Sequence, residues 1–282
     1  MTGTWAQGLE KSMEDRMADF AKLIEEKGAR RERERTESIK DFFAKNNEGA
    51  SAPSFAADLI LREDGFEVWL GSLDDALSLE ALSEAGVNAI LNAALQDSFT
   101  ECAIFKQSCG RRTRVHARGV SAMQESGGTD RDSVHDLAMS FEQVRERATF
   151  DGEWYSQMLS RDVMYLGLDA EDAEDYDITK HFLESIEFLD RCRKDRRKVL
   201  VHCVMGINRS SALLVAYLCD PDIGRGMHLQ EALALVAGLR GPILSNKTFL
   251  RDLLATFPSA GGLGTGGSQS EVPLECSEAT SQ

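Results

Sequence analysis

A cysteine and an arginine six positions apart carry the strongest chemical signal in this chain. They stand in the run His202-Cys203-Val204-Met205-Gly206-Ile207-Asn208-Arg209-Ser210. The apolar stretch 198–202 before them reads as a strand, and 210–219 after them reads as a buried helix. A strand, a tight loop and a helix start turn backbone N–H groups inward and add the positive end of the helix dipole. Such a nest suits a tetrahedral dianion. The same field favours thiolate over thiol, so Cys203 is expected to titrate below the ~8.5 of a free cysteine. Arg209 can fork onto two phosphate oxygens. Gly206 allows close backbone approach, Ser210 can hydrogen-bond the sulfur and ease its departure, and His202 orients the loop and tunes the thiolate. The chemistry predicted is displacement at phosphorus through a covalent phosphocysteine. Val204, Met205, Gly206, Ile207, Asn208 and Arg209 are the expected phosphate-binding residues.

Such a reaction needs a proton donor for the leaving oxygen. Residues 151–190 hold 12 acids and two bases, and the eight residues that follow hold six bases and one acid. Within the acidic block, Asp169, Glu171, Asp172, Glu174, Asp175 and Asp177 all sit in one polar loop. Spacing alone does not choose among them, and a solvated surface is the ordinary fate of such charge runs. The crowding predicts weak binding of acidic substrates.

The whole chain has 282 residues, with 47 acids against 32 bases and a net charge of -15. That balance argues against gripping nucleic acid or an anionic membrane. No apolar run approaches the roughly 18 residues of a membrane span. The first residues lack the basic-then-apolar layout of a secretory leader. Six cysteines at irregular spacing do not make a disulfide scaffold. The expected compartment is the reducing cytoplasm, with the nucleus as a second one. The acidic loop lacks the turn glycine and terminal Glu of a calcium loop, and no Cys/His set has zinc spacing. Neither a metal nor a cofactor is expected.

Elements that could position the loop follow from periodicity. Residues 9–27 read as an amphipathic helix with Leu9, Met13, Phe20, Leu23 and Ile24 on one stripe, interrupted at Gly28. A second helical run carries Ile39, Phe42 and Phe43, and 47–54 reads as a linker. Residues 1–54 are thus a helical extension that packs on the domain or on a protein partner. Short strands are expected at 59–61, 66–70, 87–94, 163–168 and 198–202, and helices at 72–85, 178–191, 210–219, 229–238 and 246–257. Residues 97–162 form a long insertion, with 136–148 as a helix inside it. The tail 259–282 is Gly/Ser-rich and expected to be disordered. Strands alternating with helices predict an α/β fold, a mainly parallel central sheet flanked by helices.

Taken together, the chain resembles the cysteine-dependent dual-specificity protein phosphatases of the protein tyrosine phosphatase superfamily. Their HCxxGxxRS signature is matched by His202, Cys203, Gly206, Arg209 and Ser210. The resemblance spans about 58–96 and 163–258, within an expected catalytic domain of 55–258. It implies that Asp172, placed by Tyr165, Gly167, Leu168 and Ala170, is the general acid. It also implies that Asn246 supports the loop and that the substrate is a phosphoprotein. Asn208 departs from the pattern, since many members have Ser there. The same Asn-Arg pair occurs in RNA 5′-triphosphatase relatives of the fold. RNA 5′ ends therefore remain an alternative substrate, and a phosphate-binding pseudophosphatase a further alternative. Arg111, Arg112, Arg114 and Arg118 could meet a second phosphate. Cys102 or Cys109 could pair with Cys203 as a redox control.

Overall fold

The computed structural model describes residues 11–45, 56–95 and 151–258, with side chains omitted for 39–45. The helix expected at 136–148, Arg111, Arg112, Arg114, Arg118, Cys102, Cys109, Leu9, the linker and the tail lie outside the described residues. So do the side chains of Ile39, Phe42 and Phe43.

Helix α1 spans Met13–Lys45. Strands β1 (Asp58–Glu63) and β2 (Phe66–Gly71) form a hairpin across Asp64-Gly65, both at positive φ. Helices α2 (Leu73–Leu77) and α3 (Leu79–Ala85) lead into β3 (Ala89–Asn92). After the undescribed stretch come α4 (Gly152–Leu159), β4 (Met164–Gly167) and a 3-10 turn at Ile178–His181. Then follow α5 (Phe182–Lys194), β5 (Lys198–His202), α6 (Arg209–Cys219), α7 (Leu229–Arg240) and α8 (Lys247–Thr256). The five strands run in the order β1-β2-β5-β3-β4, with only β1 antiparallel. This is the mainly parallel α/β sheet that the alternating pattern predicts.

Alternation along the strands builds two cores, because successive side chains leave opposite faces of a sheet. Ala89, Leu91, Val199 and Val201 join Phe66, Val68 and Leu70 in the larger core, closed by α5 to α8. Ile90 and Leu200 point the other way, onto Ala76, Leu82, Tyr155 and Leu159. Every residue of α6 is buried, so the helix that follows Cys203 is held on all sides.

Four expectations need correction. The helix expected at 72–85 is two. A reciprocal cap between Ser72 and Asp75 starts α2, and the backbone breaks at Ser78 before α3. Residues 152–159, taken as part of the insertion, form a helix whose Tyr155 is buried and whose hydroxyl donates to Ala76 O at 3.0 Å. That end of the insertion therefore belongs to the smaller core. The helix expected from 178 begins as a 3-10 turn. Its start is fixed by the Asp177 carboxylate accepting from Thr179 N. Gly28 does not interrupt α1. It is buried in mid-helix, where a Cβ would meet Pro242 N at 2.8 Å and Gly241 C at 2.9 Å. The glycine is there because the turn after α7 lies against the helix backbone. Phe20 and Ile24 are buried on the same side, while Met13 is exposed. Helix α1 packs against α7 and α8.

Candidate active site

Cys203 leaves the end of β5 at the carboxyl edge of the sheet, between β2 and β3. Ligands of open α/β sheets bind at such edges. The loop from 204 to 208 then climbs into α6. Its outward carbonyls are all held. Val204 O accepts from Leu73 N at 3.0 Å, and Ile207 O accepts from Leu244 N at 3.0 Å. Met205 O accepts from Arg240 Nη2 and Gly206 O from Arg240 Nε, both at 3.2 Å. A trans peptide is planar and points its N–H opposite its C=O. Fixing four carbonyls outward therefore turns the N–H groups of 205 to 208 inward. Gly206 has φ +69, and a Cβ there would sit 2.4 Å from Gly71 O and 2.7 Å from Arg240 Nη2. Only glycine fits that turn.

The inward donors converge on the sulfur. Gly206 N and Ser210 Oγ both donate to Cys203 Sγ at 3.2 Å. Burial by itself pushes the Cys203 thiol up. The Ser210 hydroxyl and N–H, the Arg209 charge and the Ile207 N–H outweigh it, and the thiol lies below its ordinary value. The contrast within the same chain is instructive. Cys192 and Cys219 are also buried free thiols, and burial pushes both up to about 12. What separates Cys203 is the nest and not the degree of burial.

His202 is fully buried, with Nδ1 at 3.3 Å from Cys203 O. Burial pushes its imidazole down to about 4, so at neutral pH it is uncharged. It helps shape the loop, and the thiolate is stabilised by Arg209 and hydrogen bonds without an imidazolium. Arg209 is buried, and its Nη1 donates to Ala170 O at 2.9 Å. This arginine is thereby tied to the acidic loop.

Asp172 is the acidic-loop carboxylate that reaches the cysteine loop among the described residues. Asn208 Nδ2 donates to its two oxygens at 3.2 and 3.0 Å, and Asn246 Nδ2 donates to Oδ1 at 3.0 Å. Asn246 also donates to Ala173 O at 3.1 Å and caps α8 through Thr248 N. Asn208 precedes α6 but does not cap it with its side chain. Its Oδ1 instead accepts from Ser245 Oγ and Asn246 N. The rivals fall elsewhere. Asp177 starts the 3-10 turn, and Asp169, Glu171, Glu174 and Asp175 are exposed.

Sequence reasoning missed two residues that hold the site, Arg240 and Asp75, and gave a third, Asn208, a different place. Arg240 grips the loop from the far end of α7, 34 and 35 residues from the carbonyls it binds, and no local pattern announces it. Asp75 is buried, receives Ala56 N and Ser72 N at 2.8 Å, and faces His202. The spacing Ser72-x-x-Asp75 is a capping-box signal that could have found it. Asn208, expected to bind phosphate, turns its side chain to Asp172. Taken as a whole, the arrangement can hold a tetrahedral anion against the Cys203 sulfur, with the Asp172 carboxyl group held beside the loop.

Residues 136–257 match the family described as "Dual specificity phosphatase, catalytic domain". Among similar proteins, "Dual specificity protein phosphatase 26" of Homo sapiens is 38% identical over 94 residues, covering 33% of this chain and 43% of that protein. "Dual specificity protein phosphatase Mpk3" of Drosophila melanogaster is 33% identical over 96 residues, covering 34% and 23%. The chain thus spans less than half the length of these relatives. Among solved structures, "Crystal structure of human DUSP28" aligns with a TM-score of 0.43 and 18% identity, covering 74% of this chain and 97% of that one.

Proposed function

We propose, from the match of residues 136–257 to the dual specificity phosphatase catalytic domain, that this chain is a protein phosphatase that hydrolyses phosphomonoesters through a phosphocysteine. The observation that carries the reading is the loop of tied-back carbonyls, with N–H groups and Ser210 Oγ directed at a thiol that lies low for so buried a group. In the first step Cys203 Sγ attacks phosphorus in line. The S–P bond forms as the P–O bond breaks, and Asp172 gives its proton to the leaving oxygen. Arg209 and the amides of 204–209 hold the equatorial oxygens as charge redistributes. In the second step water attacks phosphorus, Asp172 takes its proton, and the thiolate departs with the Ser210 hydroxyl bonded to it. His202 and Asn246 are positioning residues in this scheme. The exposed carboxylates around Asp172 favour phosphopeptides with neutral or basic flanks over acidic ones. Free thiols at Cys192, Cys203 and Cys219 fit a reducing compartment such as the cytoplasm. A division into an extension (1–54) and a catalytic domain (55–258) is part of this proposal.

The test is turnover of an aryl phosphate, of phosphotyrosine and phosphothreonine peptides, and of triphosphate-ended RNA, by the wild type and by Cys203→Ser. Hydrolysis of the aryl phosphate and peptides, abolished in Cys203→Ser, is expected. Turnover of RNA alone would transfer the reading to the nucleic-acid relatives of the fold. No turnover of any substrate would leave a phosphate-binding module.

A further inference from the structure

Asp58, at the start of β1, is a buried carboxylate on which three arginines from distant parts of the chain converge. Arg31 Nη2 lies 3.2 Å from Oδ1, while Arg35 Nη2 and Arg240 Nη1 lie 3.4 and 2.9 Å from Oδ2. The first two come from α1, and the third closes α7. Arg31 Nε also donates to Leu239 O at 2.7 Å, the carbonyl just before Arg240. Gly28 of α1 presses its backbone on Gly241 and Pro242, just after it. Helix α1 therefore holds residue 240 from both sides in sequence and through Asp58.

The far side of Arg240 meets the catalytic loop. Its Nη2 holds Met205 O and its Nε holds Gly206 O. The peptide that carries Met205 O also carries the N–H of Gly206, which donates to Cys203 Sγ at 3.2 Å. The peptide that carries Gly206 O carries the N–H of Ile207, which also bonds the Cys203 thiolate. One guanidinium thus clamps the two peptide planes whose opposite edges face the nucleophile. A free loop would have to order these planes each time the anion binds. A carboxylate gripped at both oxygens orients the guanidinium it pairs with, and an arginine fork suits that role where a lysine does not.

We infer that helix α1 is a positioning element for the catalytic loop, acting through Arg31 and Arg35 on Asp58, and through Asp58 on Arg240, to aim the Gly206 and Ile207 N–H groups at Cys203. The inference rests on the proposed phosphocysteine chemistry, but its first readout does not need turnover. Arg31, Arg35, Asp58 and Arg240 are positioning residues and touch no reacting atom.

The experiment uses the full chain and the pH profile of Cys203 alkylation, together with kcat/KM for an aryl phosphate. The double variant Arg31→Gln/Arg35→Gln is expected to move the alkylation midpoint upward and to lower kcat/KM about two- to thirtyfold, the range for coupling through a network. Arg240→Met is expected to cost about a hundredfold, as a misplaced site does. In the Arg240→Met background the α1 substitutions should add nothing more, because the relay is already cut. Arg30→Gln is the control, since Arg30 pairs with Glu34 on the exposed side of the same helix. Asp58→Asn, which keeps the side chain's shape, gives the same readouts should the double variant not fold. An α1 variant that lowers only the melting temperature, with alkylation and kcat/KM unmoved, overturns the inference, and so do effects that add fully to those of Arg240→Met. If the wild type hydrolyses nothing yet the alkylation profile shifts as expected, the relay stands and the phosphatase reading falls.

Discussion

Replacing Ser210 by alanine isolates one of the forces that hold the Cys203 thiol low. The Ser210 hydroxyl donates to Sγ at 3.2 Å from a fully buried position. A hydrogen bond to a charged acceptor contributes about 1.5–3 kcal/mol. Loss of the hydroxyl is therefore expected to raise the thiol and to cut the thiolate fraction on the acid side of its midpoint by about 10- to 100-fold, the fold-change that this energy converts to. Gly206 N, Ile207 N, Ser210 N and the Arg209 charge remain, so the thiol does not return to the value of a buried cysteine such as Cys219. The assay is the rate of alkylation by iodoacetamide as a function of pH, with the ultraviolet absorbance of the thiolate as a second probe. Stability follows the same sign. A lowered thiol means that between its folded midpoint and the unfolded value of ~8.5 the unfolded chain holds the extra proton. Stability therefore rises with pH across that window and is lost as pH falls through the folded midpoint. Ser210→Ala narrows the window from below. The substitution also removes a stabiliser of the departing thiolate, so the second step should become limiting and an aryl phosphate should show a burst of phenol. An alkylation midpoint identical to the wild type would refute the assignment of the hydroxyl to the sulfur.

Other outcomes follow from the same geometry. Asp172→Ala should slow hydrolysis of alkyl and unactivated phenyl phosphates by about 10²–10⁴ and spare good leaving groups. Equal losses on both, measured as a leaving-group series, would remove Asp172 from the acid role. His202 is neutral when folded and protonates near pH 4, against about 6.5 in the unfolded chain. The wild type should then lose about 2 kcal/mol of stability as pH falls from 7 to about 4.5. His202→Gln should lack that part of the slope in urea titrations at the two pH values. Gly28→Ala should destabilise by about 1–3 kcal/mol through contact with the Gly241–Pro242 backbone. A thermal melt like that of the wild type would mean that α1 does not lie so close to the turn.

What could be read from the sequence was what is contiguous in it. Cys203, Gly206, Arg209 and Ser210 announce the loop because one strand, one turn and one helix start supply the whole nest. Likewise, the opposite faces of Val199 and Leu200 follow from a two-residue period. Arg240, Asp58 and the α1 arginines were not legible. Arg31 meets Leu239 across 208 positions, and Arg240 meets Asp58 across 182, so no window of sequence contains the pair. Gly28 was misread for a related reason. A glycine inside a helical pattern ordinarily weakens the helix, and only the neighbouring turn shows why the missing Cβ is needed. The two-helix break at Ser78 was hidden because 72–85 keeps a helical composition throughout. Preferring Asp172 among six carboxylates rests on the resemblance, and the two asparagines that bond it, one of them 74 positions away, are not legible as its partners in the sequence.

Those asparagines have a kinetic consequence. Asp172 is bonded to Asn208 and Asn246, Ala170 O to Arg209, and Glu174 O to the Thr248 hydroxyl. The segment bearing the acid is therefore latched to the cysteine loop and to α8 before any substrate arrives. Among the described residues, these bonds join the acidic loop to the cysteine loop with no substrate present. On the proposed chemistry, a substrate would meet a cleft already latched, and discrimination would come from fit at the rim, where Met205 is largely exposed, and from bond-breaking itself. Turnover in such a site should respond to leaving-group basicity and be indifferent to solvent viscosity.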